Sequence, residues 1–158
     1  MTTKKYTEQW ERVKRQLQRI EALEKGIDHT QHSEHYSDDV HSFFQNCYHL
    51  KDWIKNDPYC SGWQDVEKLI NGDVDLQLCA DLCNAQKHLT LTQRPRSDQN
   101  PQFGGGKTHL TITEGGPATI QIAVSYTIST KHLGDIDALI LARQCVDSWT
   151  VFISINDP

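Results

Sequence analysis

The sequence predicts a mainly α fold, a helical bundle with a small β-hairpin inserted before the C-terminal helix. Apolar side chains recur every three or four residues through most of the chain, the repeat of a helix with one buried face. Only around residues 109–130 do apolar and polar residues alternate with β-branched enrichment, the repeat of a half-buried strand. The length of 158 residues suits one domain with a real core, and Trp10, Trp53, Trp63 and Trp149 require packed surroundings. The single domain, 1–158, divides into an N-terminal helix and connector (1–35), a helical core (36–90), a loop and β-hairpin (91–134) and a C-terminal helix (135–158). No internal period marks a repeat array.

Taken in order, Tyr6, Trp10, Val13, Leu17, Ile20 and Leu23 form the apolar side of the first helix, which Gly26 ends. A polar connector, IDHTQHSEHYSDD, follows. Ser37 reads as the N-cap of a second helix with Asp38 and Asp39 in its first turn, where negative charge suits the helix dipole. Its stripe is Val40, Phe43, Phe44, Cys47, Leu50 and Ile54. Pro58 in NDPYCSG stops that pattern, and a short helix is expected from Trp63 to Ile70. After NGD, the run DVDLQLCADLCNAQKHL gives a third main helix with Leu76, Leu78, Cys79, Leu82 and Cys83 on its apolar side, ending near His88 or Leu89. From Thr92 to Thr108, TQRPRSDQNPQFGGGKT reads as loop. HLTIT and TIQIAVSYTIST then read as two strands joined by EGGPA. A lone hairpin is marginal in water, so it should lie on the helices or pair with another chain. The last helix carries Ala138, Leu139, Ala142, Cys145, Val146, Trp149, Phe152 and Ile153 on one face.

A formal charge of −5 and a pI near 5.9 argue against a whole-protein grip on nucleic acid, which needs clustered cations; a local basic patch stays open. No apolar run approaches the roughly 20 residues that span a bilayer, and the N-terminus lacks a signal-peptide core. A soluble, cytoplasmic protein with no membrane contact is expected. The five cysteines, Cys47, Cys60, Cys79, Cys83 and Cys145, are odd in number and mostly fall in apolar stripes, which fits reduced, buried thiols.

Chemistry concentrates on the third main helix. Gln77, Asp81, Asn84 and His88 recur at helical spacing along one face, a polar stripe that ends in a histidine able to exchange protons near neutrality. Lys87 adjoins it. Opposite, His49 and Asp52 are three residues apart on the second helix, so the carboxylate could orient the imidazole. The bland alternative for both is a solvated face with a surface pair.

The segment Cys83, Asn84, three further residues and His88 resembles the motif of HEPN domains: an arginine, a polar residue, three residues of any kind and a histidine. The resemblance implies a helical bundle, frequent dimerisation and, in active members, metal-independent RNA cleavage at a site shared by two subunits. It makes His88 and Asn84 the candidate catalytic residues, supported by Lys87, His49, Asp52 and Asp81. Cys83 stands where the family has arginine, and a neutral thiol does not stabilise phosphate charge. Either the chain is an inactive or divergent relative, or Lys87, Arg94 or Arg96 supplies the cation, the two arginines being candidate phosphate-binding residues.

His29, His32 and His35 with His41 have metal-ligand chemistry, but no paired Cys or His motif completes a tetrahedral set, so a solvated connector and no metal or cofactor are expected. FGGGKTHL lacks the remaining glycine of a phosphate-binding P-loop and its strand and helix context. Two functions follow. One is a HEPN-like RNA-processing or toxin-like protein of a bacterial defence type, acting as a metal-independent ribonuclease on RNA and completed as a homodimer. The other is a non-catalytic, oligomerising interaction module that meets a protein partner through the hairpin edge.

Overall fold

Helix α1 spans Tyr6–Lys25 in the computed structural model, which describes residues 3–88, 94–113 and 119–158, the side chains of Ser33, His88 and Thr113 excepted. It follows the predicted stripe: Tyr6, Val13, Ile20 and Leu23 are buried. Gly26 closes it with φ 117°, a backbone region that a side chain would strain, while its N–H donates to the Ala22 carbonyl at 3.0 Å. The connector then contains strand β1, Ile27–Asp28, which has too few residues to show a period.

Helix α2 covers Ser33–Asn56 and so begins four residues before the expected cap. Ser37 lies inside it, its hydroxyl donating to the Glu34 carbonyl at 3.1 Å. Tyr36, nearly fully buried one turn before Val40, extends the apolar stripe toward the N-terminus, and tertiary burial outweighs the local cap signal. The rest of the stripe, from Val40 to Ile54, is buried as expected. A single 3-10 turn, Pro58–Cys60, follows. Helix α3 is Val66–Gly72, capped by Asp65 accepting from the Glu67 N–H. Helix α4 is Val74–His88, its start held by Asp73 accepting from the Asp75 and Leu76 N–H groups.

The expected hairpin is present but belongs to a four-stranded antiparallel sheet. Strand β2 is Gln102–Thr113 and β3 is Thr119–Ser129, in a register that pairs Leu110 with Ile122 and Ile112 with Ile120. On the other edge of β3, β1 pairs at Ile122 and strand β4, Asp135–Asp137, pairs at Thr127 to Ser129. Two expectations are corrected. The glycine run read as loop is strand, because β2 starts at Gln102; a Cβ at Gly104 would lie 3.2 Å from the Thr127 carbonyl oxygen and one at Gly106 3.1 Å from the Tyr126 ring. The missing side chains permit close strand passage, with a register shift between Phe103 and Gly106. The first residues of the assigned C-terminal helix, 135–137, are β4. Helix α5 is Ala138–Asn156, with the Asp137 carboxylate accepting from the Leu139 and Ile140 N–H groups.

The main core gathers α1, α2, α4 and α5, centred on Phe43, Phe44, Leu50, Leu78, Leu82, Leu141 and Trp149. A smaller cluster of Leu23, Tyr36, Ile122 and Val124 fastens the base of the hairpin to α1 and α2. By length and composition α5 could cross a membrane, with a mean hydropathy of 1.3 over its most apolar window, although its Leu139, Leu141, Trp149 and Phe152 lie in this core.

Candidate functional site

The C-terminal part of α4 carries the predicted polar stripe. Asn84 is half-buried and Lys87 exposed; the His88 backbone ends the helix, but its side chain lies outside the described residues. Exposed His49 reaches across from α2, its Nε2 3.9 Å from the Cys83 sulfur. Burial foremost pushes the Cys83 thiol up to about 11, against the attraction of the Lys87 charge, so this position holds a neutral SH at ordinary pH. Asp52 is not bonded to His49. It lines a shallow depression with Lys5, Trp53, Asn56 and Asp57.

Asp81, expected on the solvated face, is buried. Its carboxylate accepts from the Arg96 N–H at 2.8 Å and the Ser97 N–H at 2.9 Å, and from the Ser97 hydroxyl at 2.5 Å. This clamp fixes a turn in which Asp98 and Asn100 have positive φ. It also aims the Arg96 side chain at α3 and α2. There the guanidinium meets Glu67 at 3.0 Å and lies 5.9 Å from the Tyr48 ring centre, while Lys51 meets the same Glu67 at 3.1 Å and sits over Tyr48 at 4.6 Å. Burial alone would raise the Glu67 carboxyl; Lys51 and Arg96 together outweigh it and hold it down to about 2. Arg96 is thus engaged with Glu67, and Arg94 pairs with Asp98 at 3.5 Å on the surface. Neither Tyr48 nor Glu67 stood out in the sequence, where both looked like ordinary polar positions beside apolar stripes.

No family model, curated protein or solved structure matches the chain. Its functional surfaces are therefore weighed on their own chemistry.

The second surface is the outer half of the hairpin. Along one face the paired residues Ile122 and Leu110, then Ile120 and Ile112, continue the row that begins at buried Val124. Ile122 is covered by α1 and α2, but Leu110 is 63% exposed, Ile112 67% and Ile120 44%. Lys107, His109 and Thr111 take the alternating, polar positions of β2. Among the described residues no strand pairs with the outer edge of β2. At 12 residues, β2 is about twice the usual strand length, and one lysine is little protection for so long an edge.

The His32 and His35 rings lie 6.3 Å apart, but the connector histidines form no group of three potential metal ligands among the described residues. His29 Nδ1 lies 3.0 Å from the Tyr36 hydroxyl, His32 precedes α2, and half-buried His41 packs on Phe103 with ring centres 4.1 Å apart and touches Gln86. Burial lowers the His41 pKa.

Proposed function

We propose that the chain is a self-associating interaction module whose helices form a bundle and whose hairpin, inserted before the C-terminal helix, is the docking element. One observation carries this reading: an apolar row continuous with the buried cluster under the hairpin runs out beside a strand edge that is unpaired among the described residues. Exposed apolar edges of this length invite strand addition. The occupant we favour is a second copy of the chain. Pairing β2 with its twin, antiparallel about Leu110, keeps Leu110 and Ile112 of both copies on one face and separates the two Lys107 charges. Such a two-fold contact is self-complementary and closed.

Light scattering of the full chain should give a dimer, and Ile112→Lys should give a monomer with an unchanged circular dichroism spectrum. A monomeric wild-type chain, or a variant that dimerises equally well, overturns the proposal.

The ribonuclease reading is second, favoured by Asn84 and Lys87 sharing the solvent-facing end of α4 with the His88 backbone. RNA cleavage by the purified chain, abolished in a folded His88→Ala variant, would support it; cleavage unchanged by that substitution removes His88 from the chemistry.

A further inference from the structure

Three sulfurs meet at the centre of the main core. Cys47 from α2, Cys79 from α4 and Cys145 from α5 place their Sγ atoms within 4.8 Å of one another, and all three side chains are essentially inaccessible to solvent. Each lies on the apolar stripe of its own helix, so the sequence showed three small buried residues and gave no sign that they converge. A second, independent feature points at the same place. The indole of Trp149, one turn after Cys145, is 1% exposed, and its Nε1–H has no hydrogen-bond partner, unlike any other buried polar side-chain atom among the described residues. A buried donor without an acceptor is destabilising, and a thiolate in the cluster would relieve it.

The thiols differ in their surroundings. Cys79 Sγ lies 3.3 Å from the Phe44 carbonyl oxygen and Cys145 Sγ 3.4 Å from that of Asp75, so each SH can donate to a helix carbonyl. Cys47 has no such acceptor among the described residues. Hydrogen bonds from Cys145 first and then Cys79 draw the Cys47 thiol down against its burial, while burial foremost pushes Cys79 and Cys145 well up.

We propose that Cys47, Cys79 and Cys145 form a three-coordinate site for a single soft monovalent cation, copper(I). Soft sulfur ligands select this ion. A trigonal site with metal–sulfur distances of about 2.3 Å has its sulfurs about 4 Å apart, within the span observed here. Zinc, by contrast, asks for four ligands in a closed site, and no fourth His, Cys, Asp or Glu atom joins this group among the described residues. Coordination is through thiolate sulfur, so copper would displace to solvent the protons that Cys79 and Cys145 direct at the Phe44 and Asp75 carbonyls.

The test is an anaerobic equilibrium titration of the reduced full chain with copper(I) buffered by a chromophoric chelator, followed by sulfur-to-copper absorption and Trp fluorescence. One copper per chain, a raised melting temperature, and at least a tenfold weaker affinity in Cys47→Ser are expected. Cys60→Ser, which alters a buried thiol outside the cluster, should bind as the wild type does. The proposal is overturned if the wild-type chain takes up no copper, if copper leaves its melting temperature unchanged, or if Cys60→Ser weakens binding as much as Cys47→Ser does. Zinc binding of equal strength also overturns it. Because the wild-type titration and melting shift stand alone, the test survives a Cys47→Ser variant that fails to fold.

Discussion

Asp81 occupies a helical position that its spacing with Gln77 and Asn84 assigns to solvent, yet its buried carboxylate accepts three hydrogen bonds from Arg96 and Ser97. Periodicity reports which face of α4 is apolar; it is silent about a loop that folds back over the polar face. The apolar side was legible for that reason, and Leu76, Cys79, Leu82 and Cys83 are all buried as their spacing requires. The destination of Asp81 was not, because its partners lie 15 and 16 residues ahead in a segment without periodic signal. The same limit hid the convergence of Cys47, Cys79 and Cys145, which come from three different helices. Replacing Asp81 by alanine leaves two backbone N–H groups and a hydroxyl without their acceptor. We expect a loss of about 2–3 kcal/mol in urea unfolding, with Asp81→Asn losing less because its amide oxygen still accepts. A loss within 0.5 kcal/mol for the alanine variant, inside the range of ordinary surface changes, would show that the clamp is dispensable.

At the scale of elements, four helices were legible because each has enough turns to display its stripe, whereas the short α3, expected at Trp63–Ile70 and found at Val66–Gly72, has too few. The other errors fall at the start of α2 and where strands meet loops. Strands β1 and β4 have two and three residues, too short for alternation to register, and each exists by pairing with β3 rather than by its own propensity. The start of β2 was hidden differently. Glycine in a strand usually weakens it, so Gly104, Gly105 and Gly106 read as loop; here the opposing Thr127 carbonyl and Tyr126 ring occupy the space that side chains would need at the first and third positions. The consequence for function is length. Extending β2 back to Gln102 anchors the hairpin beside the helical core, while its outer half stays uncovered. The proposed dimerisation through that half would complete an edge that is unpaired among the described residues, which is why Ile112→Lys should separate the copies without disturbing the helices.

For the whole molecule, the two ends of the chain are joined by groups that no local reading connects. Asp157, 153 residues from Lys4, receives its ammonium at 2.8 Å, the Tyr59 hydroxyl at 2.8 Å and the Tyr6 hydroxyl at 2.5 Å. Buried Asp57 accepts from the Tyr6 and Tyr59 N–H groups, so α1, the 3-10 turn and the end of α5 share one polar latch. The Lys4 ammonium foremost, then the tyrosine hydroxyls, hold the Asp157 carboxyl down to about 2. Because this group is more acidic folded than unfolded, its contribution is fully present above its ordinary value near 4 and is lost as pH falls through about 2. Tyr6 behaves oppositely: burial, then Asp157, raises its pKa, so its contribution is present below the ordinary tyrosine value near 10 and fades as pH rises beyond its folded value. The latch should therefore be intact from about pH 4 to pH 10. Replacing Asp157 by asparagine removes the charge and one strong acceptor, and should cost about 1–2 kcal/mol at pH 7. The difference from wild type should shrink as pH is lowered from 4 toward 2, measured by urea unfolding at each pH. A difference that stays constant across that window would show that the carboxylate's charge does not hold the termini together.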